Sequence, residues 1–114
     1  MMDLIRVGLV GAGFVGPEHV EAVRRLGEVQ VLALAGSDAR RAREKADQLR
    51  IPEACGDYRA LLASPRVTVI HNATPNDLHF TINRDALLAG KHVVSEKPLA
   101  LNAEVARQLV NLAR

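Results

Sequence analysis

Tryptophan is absent from this 114-residue chain, cysteine occurs once, and the aromatic side chains number three: Phe14, Tyr58 and Phe80. The single Cys55 excludes an internal disulfide, and with it the framework of small secreted domains. Three dispersed rings offer no stacking platform for single-stranded nucleic acid. Charge of one sign is also lacking. Fifteen basic against 13 acidic residues leave a net charge of +2, and bases are interspersed with acids, as in Arg40-Arg41-Ala42-Arg43-Glu44-Lys45, in the manner of a solvated helix face. No apolar segment approaches the roughly 18 residues of a membrane span. Arg6 precedes a stretch of Val, Leu, Ala and Gly, but Gly8, Gly11, Gly13, Gly16 and the lack of a small-x-small cleavage pattern speak against a secretory leader. His19 and His92 show no metal-ligand spacing with each other or with Cys55, so no metal is expected. The expected setting is reducing and cytoplasmic, without nucleic-acid or membrane partners. At this length the chain reads as one domain that buries roughly two-thirds of its unfolded surface and needs neither disulfide nor structural metal.

What is present is a glycine pattern in a telling place. Gly11-x-Gly13-x-x-Gly16 follows the apolar run Ile5-Arg6-Val7-Gly8-Leu9-Val10 and precedes a segment of helical period. Such a turn suits a dinucleotide pyrophosphate: the first glycine permits a tight turn, the second lets phosphate approach bare backbone, and the third lets helix and strand pack closely. Unpaired N–H groups and the positive end of the helix dipole then favour the anion.

The remaining elements alternate in type. Residues 4–10 predict a buried strand, and 15–26 a helix with Val20, Val23 and Leu26 on one face and Pro17 in its first turn. A second unalternated apolar strand is expected over 29–35, as in a parallel sheet covered on both faces. Asp38 caps a predicted helix over 39–49, whose apolar positions are Ala42, Ala46 and Leu49. Pro52 ends that region, and Cys55 falls in a loop or short strand. A short helix is expected over 58–63, a strand over 67–73, a helix over 78–88 closed by Gly90 as a left-handed cap, a strand over 92–95, and a last helix capped by Asn102. This alternation gives an α/β fold, a doubly wound and mostly parallel sheet of Rossmann type. Ligands in such sheets lie beyond the carboxyl ends of the strands. There the sequence places the glycine turn, Gly36-Ser37-Asp38, Thr74-Pro75-Asn76 and Glu96-Lys97-Pro98.

Ala73-Thr74-Pro75-Asn76-Asp77-Leu78-His79 and Ala89-Gly90-Lys91-His92-Val93-Val94-Ser95-Glu96-Lys97-Pro98-Leu99-Ala100 are the most specific stretches. With the glycine turn, they make the chain resemble the glucose-fructose oxidoreductase and inositol dehydrogenase-like (Gfo/Idh/MocA-type) NAD(P)-dependent oxidoreductases over essentially its whole length. The resemblance implies a pyrophosphate cradle at the backbone of Gly13, Phe14 and Val15, in a cofactor-binding turn that Gly11 and Gly16 complete. It implies that Thr74, Pro75, Asn76 and His79 line the ribose and nicotinamide ends of the dinucleotide, and that Glu96 contacts the nicotinamide ribose. Lys97 would face the substrate hydroxyl or carbonyl as the catalytic group, and Pro98 would fix its turn. An ammonium there can stabilise a developing alkoxide or relay its proton, while the nicotinamide carries the hydride. His71 and Asn72 depart from the family's usually apolar strand and are expected to be internally hydrogen-bonded.

Cofactor choice turns on the end of the second strand. An NAD site usually places an acid there, and the position here is Gly36, followed by Ser37. Without that carboxylate a 2′-phosphate is not repelled, and Arg40 or Arg41 supplies attraction. Asp38 opposes this if it turns inward, since like charges about 4 Å apart repel by roughly 4 kcal/mol at an effective dielectric near 20. The cofactor is therefore NAD or NADP, with the balance toward NADP. The family resemblance further implies a C-terminal domain supplying the substrate pocket and, through it, a homo-oligomer. The 114 residues accordingly read as an N-terminal dinucleotide-binding portion of an oxidoreductase acting on a sugar, inositol or related polyol. The alternative is a dinucleotide-responsive regulatory module, which has no need of a lysine at the hydride position.

Overall fold

The computed structural model describes residues 5–11, 21, 24, 25, 27–74, 78–95 and 103–114. The expectations for Gly13, Phe14, Val15, Gly16, Pro75, Asn76, Glu96, Lys97 and Pro98, for the Asn102 cap and for most of the helix over 15–26 lie outside these residues. Near the end of that helix, Glu21 and Arg24 are helical.

Five strands form one parallel sheet: β1 (Ile5–Val10), β2 (Val29–Ala35), β3 (Glu53–Cys55), β4 (Val69–Asn72) and β5 (His92–Ser95), in the order β3-β2-β1-β4-β5. The described helices are α1 (Ala39–Leu49), α2 (Arg59–Ala63), α3 (His79–Leu88) and α4 (Ala103–Ala113). The last four residues of β1 and the last five of β2 are buried, as expected of central strands covered on both faces. Leu9, Val31 and Leu34 pack with Ala46 and Ile51 in one core cluster, whereas Val10, Leu32 and Ile70 pack with Leu61, Ile82 and Ala86 in another. Leu9 and Val10 thus face opposite layers, as do Val31 and Leu32 and again Leu34 and Ala35, whereas Leu32 and Ala33 share one cluster where the β1–β2 register slips; apolar residues fill both faces, and the sheet is doubly wound.

Local chemistry sets the helix ends. Asp38 is extended at φ −139° and its Oδ1 accepts from Arg41 N at 3.0 Å, the N-cap predicted for α1. Ala42 and Ala46, four apart, are the buried stripe of that helix. On its outer side Arg40 pairs with Glu44 at 3.3 Å and Arg43 with Asp47 at 2.7 Å, both exposed. Gly90, at φ +81°, closes α3 in the left-handed region, with its N–H donating to Leu87 O at 3.0 Å and that of Lys91 to Ala86 O at 3.0 Å. Three boundaries move inward from expectation: α2 begins at Arg59 with Tyr58 as its cap, α3 begins at His79, and β4 runs only from Val69 to Asn72. The third strand is the one element composition did not single out, because three residues after a proline carry no readable periodicity.

One row of register partners matters most for function. Cys55 pairs with Ala35, Ala35 with Val10, Val10 with Asn72, and Asn72 with Ser95, so five strands end level with one another. The ladder runs one step further: Gly36 N donates to Cys55 O at 3.0 Å, Gly11 N to Ala35 O at 2.9 Å, and Ala73 N to Val10 O at 2.9 Å.

Candidate functional site: a cleft along the strand ends

Because the strands end in register, Gly11, Gly36, Gly56 and Ala73-Thr74 emerge along one edge. The edge carries two hollows. One, of about 550 Å³, lies over the ends of β1, β2 and β4 and is walled by Gly11, Gly36, Ser37, Asp57, Tyr58, Arg59, Thr74, Leu78 and Thr81. The other, of about 420 Å³, is bounded by Gly11, Gly36, Ser37, Asp38, Arg41, Ala42 and Lys45. Gly11, Gly36 and Ser37 border both. Six of the expected cofactor residues, Gly11, Gly36, Ser37, Asp38, Arg41 and Thr74, are thereby brought together. His79 stands at the first position of α3, close in sequence to Leu78 on the cleft wall.

Gly11 is held at φ +80°, and a Cβ there would stand 2.9 Å from the carbonyl oxygen of Ala73. Both the backbone conformation and the close approach of β4 demand glycine. Gly36 is different: a Cβ would meet that of Ala42 at 3.4 Å, an ordinary contact. The end of β2 is therefore open by choice of residue rather than by steric need.

Electrostatics divide the two hollows. The Asp38 carboxylate is engaged as the α1 cap. Arg41 and Lys45 stand one turn apart on the same helix, and neither forms an ion pair among the described residues, whereas Arg40 and Arg43 are matched with acids. Like charges at this spacing cost an isolated helix a few tenths of a kcal/mol, so the pair has no local stabilising purpose. Across the edge, the Arg59 guanidinium lies 5.1 Å from the centre of the Tyr58 ring, and the Tyr58 hydroxyl donates to Asp85 Oδ2 at 2.5 Å. Burial, reinforced by that hydrogen bond and by the Asp85 charge, holds the Tyr58 phenol above its ordinary pKa, so it is a neutral donor at physiological pH. Burial likewise raises the Cys55 thiol, which leaves it a poor nucleophile.

Lys45, Tyr58 and Arg59 were not among the expected site residues. Lys45 was legible as the residue one turn beyond Arg41. Tyr58 and Arg59 follow β3, and only its identification as a strand sends the loop after it to the cleft. Asn72, as expected, is internally bonded: its Oδ1 accepts from Thr74 N at 3.2 Å and its Nδ2 donates to Asn83 Oδ1 at 2.8 Å. Among the described residues no group of three His, Cys, Asp or Glu side chains is arranged to hold a metal, and no helix is long and apolar enough to cross a membrane.

Known proteins are similar to this chain in sequence and in fold. The trans-1,2-dihydrobenzene-1,2-diol dehydrogenase of Mus musculus is 38% identical over 112 residues, which cover 96% of this chain and 34% of that protein. Levoglucosan dehydrogenase in complex with NADH and L-sorbose superposes with a TM-score of 0.93 at 30% identity, covering 98% of this chain and 32% of that one. A 3-ketoreductase from Actinomadura kijaniata in complex with NADP and TDP-benzene gives a TM-score of 0.92 at 31% identity, over 98% of this chain and 34% of that one. The chain thus spans about a third of the length of the relatives it matches. Residues 5–114 match the oxidoreductase family, NAD-binding Rossmann fold, and the chain belongs to that family, the Gfo/Idh/MocA oxidoreductases.

Proposed function

We propose that this chain is the dinucleotide-binding part of an NAD(P)-dependent dehydrogenase or reductase acting on a sugar, inositol or related polyol. The observation that carries the reading is the level row Cys55–Ala35–Val10–Asn72–Ser95. It brings Gly11, the open end of β2 and Thr74 to one cleft beside β1, where the strand order reverses toward β4. Levoglucosan dehydrogenase and the 3-ketoreductase support a carbohydrate-like substrate.

In this reading the adenosine half lies over β2. Tyr58, Arg59 and Leu78 wall the slot for its base, and Ser37 faces its ribose. Arg41 and Lys45 receive a 2′-phosphate, which is why NADP is favoured over NAD. The pyrophosphate lies on the backbone of Gly11, Gly13, Phe14, Val15 and Gly16, where N–H groups substitute for water. Thr74, Pro75, Asn76, His79 and Glu96 hold the nicotinamide half, and Pro98 fixes the turn that carries Lys97. When bound, the nicotinamide supplies the hydride chemistry. Lys97 places its ammonium against the reacting oxygen, stabilises the alkoxide and moves its proton. A C-terminal domain completes the substrate pocket and mediates a homo-oligomer, in a cytoplasmic enzyme.

Amide NMR of the ¹⁵N-labelled chain titrated with NADPH tests the assignment. Shifts are expected at Gly11, Gly36, Ser37 and Thr74 and not at Gly90 or Leu112. Shifts confined to α3 and α4 would refute it.

A further inference from the structure

Two asparagines, Asn72 at the end of β4 and Asn83 within α3, are 0% and 1% exposed. They belong to a relay that links the end of β4, through α3, to the end of β5. Thr74 N and Thr74 Oγ1 both donate to Asn72 Oδ1, at 3.2 and 2.5 Å; Asn72 Nδ2 donates to Asn83 Oδ1 at 2.8 Å; Asn83 Nδ2 donates to Ser95 Oγ at 2.9 Å. A single group fixes its direction. The backbone N–H of Thr74 can only donate, so the Asn72 end facing it must be the carbonyl oxygen. Its amide nitrogen then points at Asn83, which must answer with oxygen and present nitrogen to Ser95. The Thr74 hydroxyl, facing the same oxygen, must also donate its proton to Asn72. Its lone pairs are what it offers to any other partner.

Thr74 borders the 550 Å³ cleft beyond the end of β4, across β1 from Gly36 and Ser37. A dinucleotide whose adenosine half lies over β2 reaches β4 with its nicotinamide half. We propose that Asn83 is a positioning residue for that half: through Asn72 it sets the Thr74 hydroxyl as a hydrogen-bond acceptor for a ribose hydroxyl, and through Ser95 it holds the ends of β4 and β5 in register. The inference rests on the dinucleotide reading above and deepens it. Neither asparagine touches the ligand. Their burial gives the arrangement stiffness, since rotating either amide would face donor against donor and leave a buried polar group unsatisfied.

The test compares NADPH with adenosine 2′,5′-bisphosphate, which lacks the nicotinamide half, on the 114-residue chain with folding checked by circular dichroism. Asn83→Leu, close in volume but without hydrogen bonds, should weaken NADPH about 3- to 10-fold, the range of one hydrogen bond, and leave the bisphosphate unchanged. Thr74→Val should do the same, and the double variant should be no weaker than the worse single, because both act through one contact. Should Asn83→Leu fail to fold, Ser95→Ala, which removes the far acceptor with little change in volume, should still give a selective loss of about 2- to 3-fold. Equal weakening of both ligands, multiplying effects in the double variant, or no selective loss in Ser95→Ala would overturn the positioning role. If the unaltered chain bound neither ligand, the parent reading would fall instead, and the role given to Thr74 with it.

Discussion

Gly11 and Ala73 meet so closely that a methyl group on Gly11 would lie 2.9 Å from the Ala73 carbonyl oxygen, on a backbone already at φ +80°. Gly90 has nearly the same φ, +81°, with nothing within 4 Å of its virtual Cβ. The two glycines separate conformational from steric cost. Gly90→Ala should destabilise the chain by about 1–2 kcal/mol, the left-handed penalty alone. Gly11→Ala should cost about 2–4 kcal/mol, since overpacking against backbone adds to it. Urea denaturation of both variants checks the ordering, and equal losses would show that the β1–β4 approach is not tight.

Substitution at the neighbouring strand end should alter preference rather than stability. Gly36 has room for a side chain and no positive φ. Gly36→Asp should weaken NADPH at least about 10-fold more than NADH, through repulsion of the 2′-phosphate and new ribose hydrogen bonds. Calorimetric titration of each cofactor decides it. Equal losses would mean damage to the fold and would remove Gly36 from the specificity account.

Most of this edge was legible from the sequence, for identifiable reasons. β2 and α1 follow their predicted bounds because an unbroken apolar run and a capped amphipathic segment are both local signals. Gly90 was readable as a cap for the same reason. β3 was not, because Glu53–Cys55 becomes a strand only by pairing with Ala33–Ala35, and nothing within three residues announces a partner. The Tyr58–Arg59 wall was lost with it. The register shift between Val7 and Gly8 and the Asn72–Asn83 bond are likewise products of tertiary packing. Burial of Asn72 could be foreseen from its place in an apolar strand; its partner on α3 could not.

Tyr58 gives the chain an alkaline signature. An unfolded phenol loses its proton near pH 10, and the folded one lies higher because of burial and Asp85. Between these values the unfolded chain binds fewer protons than the native one. The contribution of Tyr58 is therefore complete below about pH 10 and is lost as pH rises through the folded pKa. Tyr58→Phe should cost about 1 kcal/mol at pH 7, a low value for a bond to a carboxylate because the pair is partly exposed, and should flatten the alkaline decline. Urea midpoints at pH 7, 9 and 11 measure this. Parallel declines in both proteins would assign the titration elsewhere.

Lys97 must be tested in a protein that also carries a substrate domain. Lys97→Ala should lower turnover about 10²- to 10⁴-fold, the range for a positioned acid–base group, with dinucleotide affinity nearly unchanged. Pre-steady-state turnover beside a cofactor titration separates the two. Joint loss of binding and turnover would make Lys97 a cofactor ligand, and near-normal turnover would make it a structural charge.

The central claim is that the strand-end cleft binds a nicotinamide dinucleotide, with Arg41 and Lys45 receiving a 2′-phosphate. Its most direct test is calorimetric titration of the folded 114-residue chain with NADPH and NADH, repeated on Arg41→Ala/Lys45→Ala. Saturable binding of both is predicted, with NADPH tighter and its advantage abolished in the double variant while NADH is little affected. A folded chain that bound neither cofactor up to millimolar concentration would contradict the claim, and an NADPH advantage that survived removal of both cations would contradict its account of specificity.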